Sequence, residues 1–552
     1  MKPGGNLQGL KSSQLKALER LSQRRISPQI GFSAEQAREF ALISRAVGRQ
    51  VALLIDRAGK VACVLVGDMS AIYIPELPRS RMGSDRLRGL RLVHTHLAPE
   101  GLSREDLMDL LFLRLDDIAV LSVTPAGEPD RFQHAHLAPG LPGGEPYMVH
   151  PFVAWDRAQT DFAAQTEALE AEMARGDTAA AAPGARAAEN DACPAAVLVS
   201  ISTAHRAEQE HNLAELAELA RTAGLRITGR LIQRVHAINP RLIAGKGKLA
   251  ELEVLALQGN AGLIVFDGEL TPAQLRSLAD ITERKVLDRT QLILDIFASR
   301  AATRAGRLQV EMAQLHYMQP RLAGKSNALD RLAGGIGGRG PGETKLETDR
   351  RRIRERIGRI KRELEDLRRQ RALARSRRAR QALSVASLVG YTNAGKSTLI
   401  NVLTSAEVPA EDKLFATLDP TARRLRTPCA ELILADTVGF IRNLPKALIE
   451  AFRATLEELE AADLLLHVAD AGHPDFDRQY AAVVQILTDM ALHETPRFLV
   501  LNKWDTVEPE AGEALLERFP EAVPVSALQG KGLAELTDGI ARALRNAGRS
   551  MA

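Results

Sequence analysis

The pattern that most limits the fold lies at residues 385–403. An apolar run, Val385–Val389, ends in Gly390, Tyr391, Thr392, Asn393, Ala394, Gly395, Lys396 and Ser397, and Thr398–Leu403 then reads as a helix. A glycine-bearing loop between a buried strand and a helix aims a row of backbone N–H groups, and the positive end of the helix dipole, at one point. This GxxxxGKS spacing in that setting predicts a phosphate cradle on an α/β sheet. Lys396 would reach the β- and γ-phosphates, and Ser397 would ligate Mg²⁺.

Three further signals follow in order, each at a strand end. Leu432–Ala435 runs into Asp436, Thr437, Val438 and Gly439. Asp436 suits the carboxylate that holds Mg²⁺ through water, and the Gly439 N–H suits a γ-phosphate contact. Phe498–Leu501 runs into Asn502, Lys503, Trp504 and Asp505. A carboxylate at 505 can accept from guanine N1–H and its N2 amino group. Adenine offers no such pair, so GTP and GDP are the nucleotides expected. Val523–Val525 leads to Ser526 and Ala527, whose backbone can meet guanine O6. Upstream, Thr417 stands where a switch threonine completes the Mg²⁺ shell. Lys396, Thr417 and Gly439 are the catalytic set expected. Where many small GTPases carry a water-orienting glutamine, this chain has Phe440. Slow intrinsic turnover is therefore expected, completed by another group, a cation or a partner. The Asn393 amide could hold K⁺ beside the phosphates, or could bond its own backbone and only shape the loop.

The 552 residues predict three or four domains at roughly 150 each. The longest apolar runs, such as Val51–Ile55, are far short of the roughly 20 residues of a spanning helix, so no stable membrane insertion is expected. The first residues carry no apolar signal segment. Cys63, Cys193 and Cys429 are too scattered for a disulfide framework or a zinc cluster. A cytoplasmic location is expected, and a monomer.

Ten alanines in 171–192, after a polar helix-prone stretch, mark a linker over 156–194. Before it, residues 1–155 mix helix and strand signals as an α+β extension. After it, strands and helices alternate over 195–289, a second α/β unit. Residues 290–380 predict a helical hairpin. Ile353, Ile357, Ile360, Leu364 and Leu367 fall at 4-3-4-3 spacing, and Leu308, Met312 and Leu315 offer a matching stripe. Between the two helices lies Gly334–Gly342, with six glycines in nine residues. Residues 350–380 contain 15 Arg or Lys and four Asp or Glu, so this stretch is +11 in a chain of net charge +4. Such a block suits a polyanion, most often nucleic acid; its plain alternative is a solvated helix face. The remainder, 381–552, is the P-loop domain.

Taken together, GYTNAGKS at 390–397, LFATLDPT at 414–421, DTVGF, NKWD and GGIGGRGPGETKLETDRRRI at 334–353 resemble the HflX family over about residues 195–546. The resemblance implies an α/β N-domain, a helical hairpin arm and a Ras-like GTPase domain. It also implies a GTPase that binds the large ribosomal subunit, is stimulated by it, and dissociates or rescues stalled or idle ribosomes, with the arm and its glycine-rich loop reaching towards rRNA. A GTPase acting on another RNA, such as tRNA, would explain the same motifs. Some relatives hydrolyse ATP as well, but Ala244–Leu249 lacks the Ser or Thr of a second P-loop.

The first 155 residues resemble the JAB/MPN (JAMM) fold. His94 and His96 end a strand, and Ser103 and Asp106 open the next helix. The resemblance implies His94, His96 and Asp106 as zinc ligands. The spacing between His96 and Ser103 is one residue short of the motif, and Gln50 stands where the catalytic glutamate is expected. An inactive JAB-like fold without zinc is the expectation. Zinc without catalysis is the second reading, and a metal-dependent hydrolase with an accessory nucleotide switch is the third.

Overall fold

The computed structural model describes residues 3–29, 31–69, 71–72, 74, 87–138, 146–158, 160–179, 193–282, 284–322, 345–379, 384–404, 415, 422–427, 430–437, 439–442, 459 and 462–546. Thr417, Val438 and the glycine-rich stretch 334–342 lie outside them. The chain forms two compact units, residues 1–217 with 224–288, and residues 218–223 with 289–552.

The first unit carries two sheets. The N-terminal one orders its strands β1-β3-β2-β4-β5-β6-β7, with β8 on β6. These are β1 (Gly4–Gly5), β2 (Val51–Asp56), β3 (Val61–Val66), β4 (Leu90–His96), β5 (Asp117–Val123), β6 (Pro129–Leu137), β7 (Tyr147–Val149) and β8 (Val153–Ala154). Its helices are α1 (Ser12–Leu21), α2 (Ala34–Val47), α3 (Arg104–Leu113) and α4 (Phe162–Ala179). Alternation along the strands gives the sheet two apolar faces. One packs Leu53, Ile55, Val93 and Leu121 against Phe40 of α2 and Phe162 of α4. The other packs Leu54, Leu92 and Ile118 against Leu110 and Leu111 of α3. The helix-prone start of the linker is thus a docked helix, with Phe162, Leu169 and Met173 buried.

The second sheet runs β10-β9-β11-β12, all parallel. It comprises β9 (Ala195–Ser202), β10 (Arg226–Arg234), β11 (Leu263–Phe266) and β12 (Lys285–Asp288), with α5 (Arg206–Thr222), α6 (Lys246–Gln258) and α7 (Pro272–Ile281) as connections. Leu257 of α6 joins the core that holds Leu110 and Leu111, so the two sheets share apolar packing.

In the second unit, α8 (Arg289–Arg300) leads to a hairpin of α9 (Arg304–Leu322) and α10 (Lys345–Ala379). Leu308, Ile360 and Leu364 form its buried seam, flanked by Met312, Leu315 and Leu367. Arg356 closes one side with two 2.6 Å hydrogen bonds to Glu311. The third sheet orders β14-β15-β13-β16-β17-β18 and is parallel except for β14. Its strands are β13 (Ser384–Val389), β14 (Ala422–Thr427), β15 (Ala430–Ala435), β16 (Leu464–Asp470), β17 (Arg497–Asn502) and β18 (Val523–Pro524). Its helices are α11 (Lys396–Thr404), α12 (Phe476–Asp489), α13 (Pro509–Arg518) and α14 (Leu533–Asn546). Among the described residues, no helix is long and apolar enough to cross a membrane.

Candidate nucleotide site and a histidine–aspartate cluster

The nucleotide-site residues gather at the carboxyl ends of β13, β15, β17 and β18, where open α/β sheets place their ligands. Two glycines are required by space. A Cβ on Gly390 would lie 2.1 Å from the Val468 carbonyl oxygen, and one on Gly395, at φ +85°, would lie 2.3 Å from Asn502 Nδ2. Asn393 takes φ 63°, a left-handed conformation that asparagine tolerates.

Lys396 is buried, and its Nζ donates to the carbonyl oxygens of Gly390 at 2.9 Å and Tyr391 at 2.7 Å. Burial pushes its ammonium down to about 8, with Asp436 opposing. Ser397 Oγ donates to Asp436 Oδ2 at 3.1 Å, so the two Mg²⁺ candidates sit side by side. Thr437 N donates to Asp436 Oδ1 at 3.0 Å and its hydroxyl to Leu388 O, fixing the carboxylate on the strand end. Thr398 lies in the first turn of α11.

Gly439 leaves no room for a side chain. A Cβ there would lie 2.8 Å from Thr392 Cγ2 and 3.2 Å from Lys396 Nζ. The next residue, Phe440, is buried. Its N–H donates to Gly390 O at 3.0 Å and its carbonyl accepts from Thr392 N at 2.7 Å. This ladder bonds the loop after β15 to the phosphate loop. Arg442 N adds a bond to Tyr391 Oη at 3.0 Å.

At the base end, Asn502 ties two loops together. Its Nδ2 donates to Ala394 O at 2.8 Å, and its Oδ1 accepts from Ala527 N at 3.1 Å. Lys503, at φ 58°, reaches Asp470 at 2.9 Å. Asp505 is exposed, and Ser526 and Ala527 are buried behind it. The Lys503–Asp470 pair was missed in the sequence, because only the ladder Asp470↔Asn502 brings the two strand ends together. Phe415 was also missed as a packing residue. It is buried at φ 57°, its ring edge-on to Phe297 of α8 at 4.6 Å between centroids.

In the extension, His94, His96 and Asp106 converge with their ligand atoms within 4.8 Å of one another. His94 Nε2 lies 3.1 Å from His96 Nε2 and 3.2 Å from Asp106 Oδ1, and His96 Nε2 lies 3.9 Å from Asp106 Oδ2. Ligands about 2.0–2.1 Å from a tetrahedral zinc stand about 3.3 Å apart, so the donor set fits such an ion. The helix cap sets Asp106. Its Oδ2 accepts from Ser103 N and Oγ, both at 2.7 Å, while Ser103 Oγ accepts from Asp106 N. His96 Nδ1 faces Glu100 O at 3.3 Å, which leaves Nε2 as the lone-pair side. Burial, and then His94, lower the His96 pKa. Burial would raise the Asp106 carboxyl, but hydrogen bonds from His94 and Ser103 hold it well below the usual carboxylate range. The register Ala52↔His94 puts Gln50, two residues upstream on the same face, beside His96. Its Oε1 is buried without a partner. An amide there cannot act as a general base.

A phosphate-loop strand–helix unit with Asn-Lys-Trp-Asp at the end of β17, two strands away in the same sheet, defines a P-loop GTPase, a GTP hydrolase. The family descriptions agree. "50S ribosome-binding GTPase" matches residues 385–503, "GTP-binding GTPase Middle Region" residues 300–378, and "GTP-binding GTPase N-terminal" residues 210–298. Relatives match this chain over most of their own length. The GTPase HflX of Caldanaerobacter subterraneus is 50% identical over 354 residues, 63% of this chain and 80% of its own. That of Lacrimispora saccharolytica is 48% identical over 352 residues, 63% of this chain and 83% of its own. That of Escherichia coli is 44% identical over 359 residues, 64% of this chain and 84% of its own. The chain belongs to the HflX family of GTPases.

Proposed function

We propose that this GTPase binds the large ribosomal subunit through its basic hairpin, and that GTP binding and hydrolysis drive dissociation or rescue of stalled or idle ribosomes. The observation that carries the reading is the hairpin itself. Its apolar stripe is spent on the seam, while Arg351, Arg352, Arg354, Arg359, Lys361 and Arg362 are exposed along α10. A ridge of guanidinium groups on a long rigid helix suits RNA phosphate. In this reading Lys396 neutralises the β- and γ-phosphates, Ser397, Asp436 and Thr417 hold Mg²⁺, Gly439 contacts the γ-phosphate, and Asp505 selects guanine. With Phe440 buried, hydrolysis is completed by a group that the ribosome orders, or by K⁺ at Asn393 that stabilises the charge developing on the phosphate oxygens. Co-sedimentation with separated ribosomal subunits and a GTP analogue tests it. Binding to the large subunit is expected, with a salt dependence flattened by somewhat under one logarithmic unit per lost contact when Arg350, Arg351, Arg352 and Arg354 become glutamine. Binding to tRNA and not to subunits would overturn the reading.

A second reading concerns the extension. The convergence of His94, His96 and Asp106 favours a bound zinc ion, held without hydrolysis because Gln50 replaces the general base.

A further inference from the structure

A second polar centre lies on the opposite face of β4 from His94 and His96. Arg91 is buried there, with its guanidinium carbon 4.1 Å above the centre of the Phe162 ring. Its Nε and Nη1 meet no acceptor. The ladder sets Arg91 beside Asp117 of β5. Asp117 is buried too. Its Oδ2 accepts from His134 Nδ1 at 2.9 Å and Gln165 Nε2 at 3.3 Å, but Oδ1 meets no donor. Both side chains line one cavity of about 250 Å³, roofed by the first turns of α4. Leaving charged, buried groups unsatisfied costs upwards of about 1–3 kcal/mol each, so a folded chain keeps such a pair only where something else meets it.

The rest of the wall says what that is. Asp56, Asp116, Glu167 and Glu170 add four carboxylates, against the single guanidinium of Arg57. Arg57 is already taken, with Asp116 and Glu170 each at 2.7 Å. The clamp ties α4 to the β4–β5 edge and fixes the roof. The lining therefore carries an excess of negative charge around one unsatisfied cation at the floor. We infer that this cavity binds a small zwitterion with surplus positive charge, of the basic amino-acid class: Arg91 takes its carboxylate, Asp117 takes its α-ammonium, and Glu167 at the rim takes the side-chain cation. Burial pushes the Arg91 guanidinium down and the Asp117 carboxyl up, and a ligand carrying both opposite charges relieves each.

The test is calorimetric titration of the full chain with L-lysine, L-ornithine and L-arginine, with cadaverine as the probe that lacks a carboxylate. One-to-one binding of at least one amino acid is expected, weakened about tenfold or more for cadaverine and in Arg91→Gln, consistent with loss of a charge-assisted hydrogen bond. Glu167 is exposed, so Glu167→Gln keeps the fold and should weaken binding about two- to fivefold. GTP turnover should be unchanged in both variants, and serves with the melting temperature as the check on folding. No heat from any of the three amino acids, cadaverine binding as tightly as lysine, or full affinity in the Glu167→Gln variant would each overturn the assignment and leave the cavity to water.

Discussion

In the nucleotide site, peptide groups do most of the holding. Thr392 and Phe440 exchange backbone bonds with their neighbours, Lys396 is gripped by two carbonyls, and even Asn502 spends its amide on the backbone of two loops. In the extension, His94, His96 and Asp106 meet through side chains alone, across a strand end and a helix cap. The difference teaches where each site is vulnerable. A site made of backbone survives many side-chain changes but fails where space for the backbone is lost, as at Gly390 or Gly439. A site made of three side chains fails when any one of them is removed.

Three experiments press on that contrast. The largest effect is expected in the extension. His94→Ala should lose the zinc equivalent measured by elemental analysis, a loss of more than about 100-fold in affinity, because one of three ligands goes. Its GTP turnover should match the unaltered chain. Equal metal content in the variant would end the zinc reading. Next in size, Asp505→Asn should weaken GTP binding by about 1.5–3 kcal/mol through loss of a charged acceptor, and should admit xanthosine triphosphate. An unchanged preference for GTP over xanthosine triphosphate would remove Asp505 from base selection.

The smallest effect comes from Lys396. Its ammonium titrates near pH 8 in the free protein, lowered by burial, and a bound phosphate restores the proton. GDP affinity should therefore be flat below about pH 7.5 and fall above about pH 8, by at most tenfold per unit. Because the folded-state pKa is depressed, the same group makes the free chain relatively more stable as pH rises from about 8 towards 10.5. A flat affinity profile through pH 9.5, from calorimetry, would contradict this.

The nucleotide site was legible because a glycine at a fixed distance from a lysine states a backbone requirement directly. The hairpin was legible because a seam must repeat, and Ile360 and Leu364 are buried where the 4-3-4-3 spacing put them. What stayed hidden depends on strand order. Arg91 and Asp117 are 26 positions apart, and nothing local marks them as neighbours until β4 and β5 pair in parallel. His134 reads as one of two histidines along β6, yet it fixes one oxygen of Asp117. Gln50 was noticed by its position, but its closeness to His96 follows only from the β2–β4 register.

The Phe415–Phe297 contact makes a mechanical statement about the second unit. Phe415 stands two residues before Thr417, and Phe297 sits in α8, seven residues before the hairpin begins. Withdrawing a buried phenyl ring leaves a void of its own size, a cost on the order of 3–5 kcal/mol. Until that cost is met, Phe415 stays joined to α8 at this contact. The φ of +57° at Phe415 supplies a standing strain on the same joint. A change that displaces Phe415 is therefore met at α8, which Arg289 also ties to the Arg442 carbonyl at 3.2 Å.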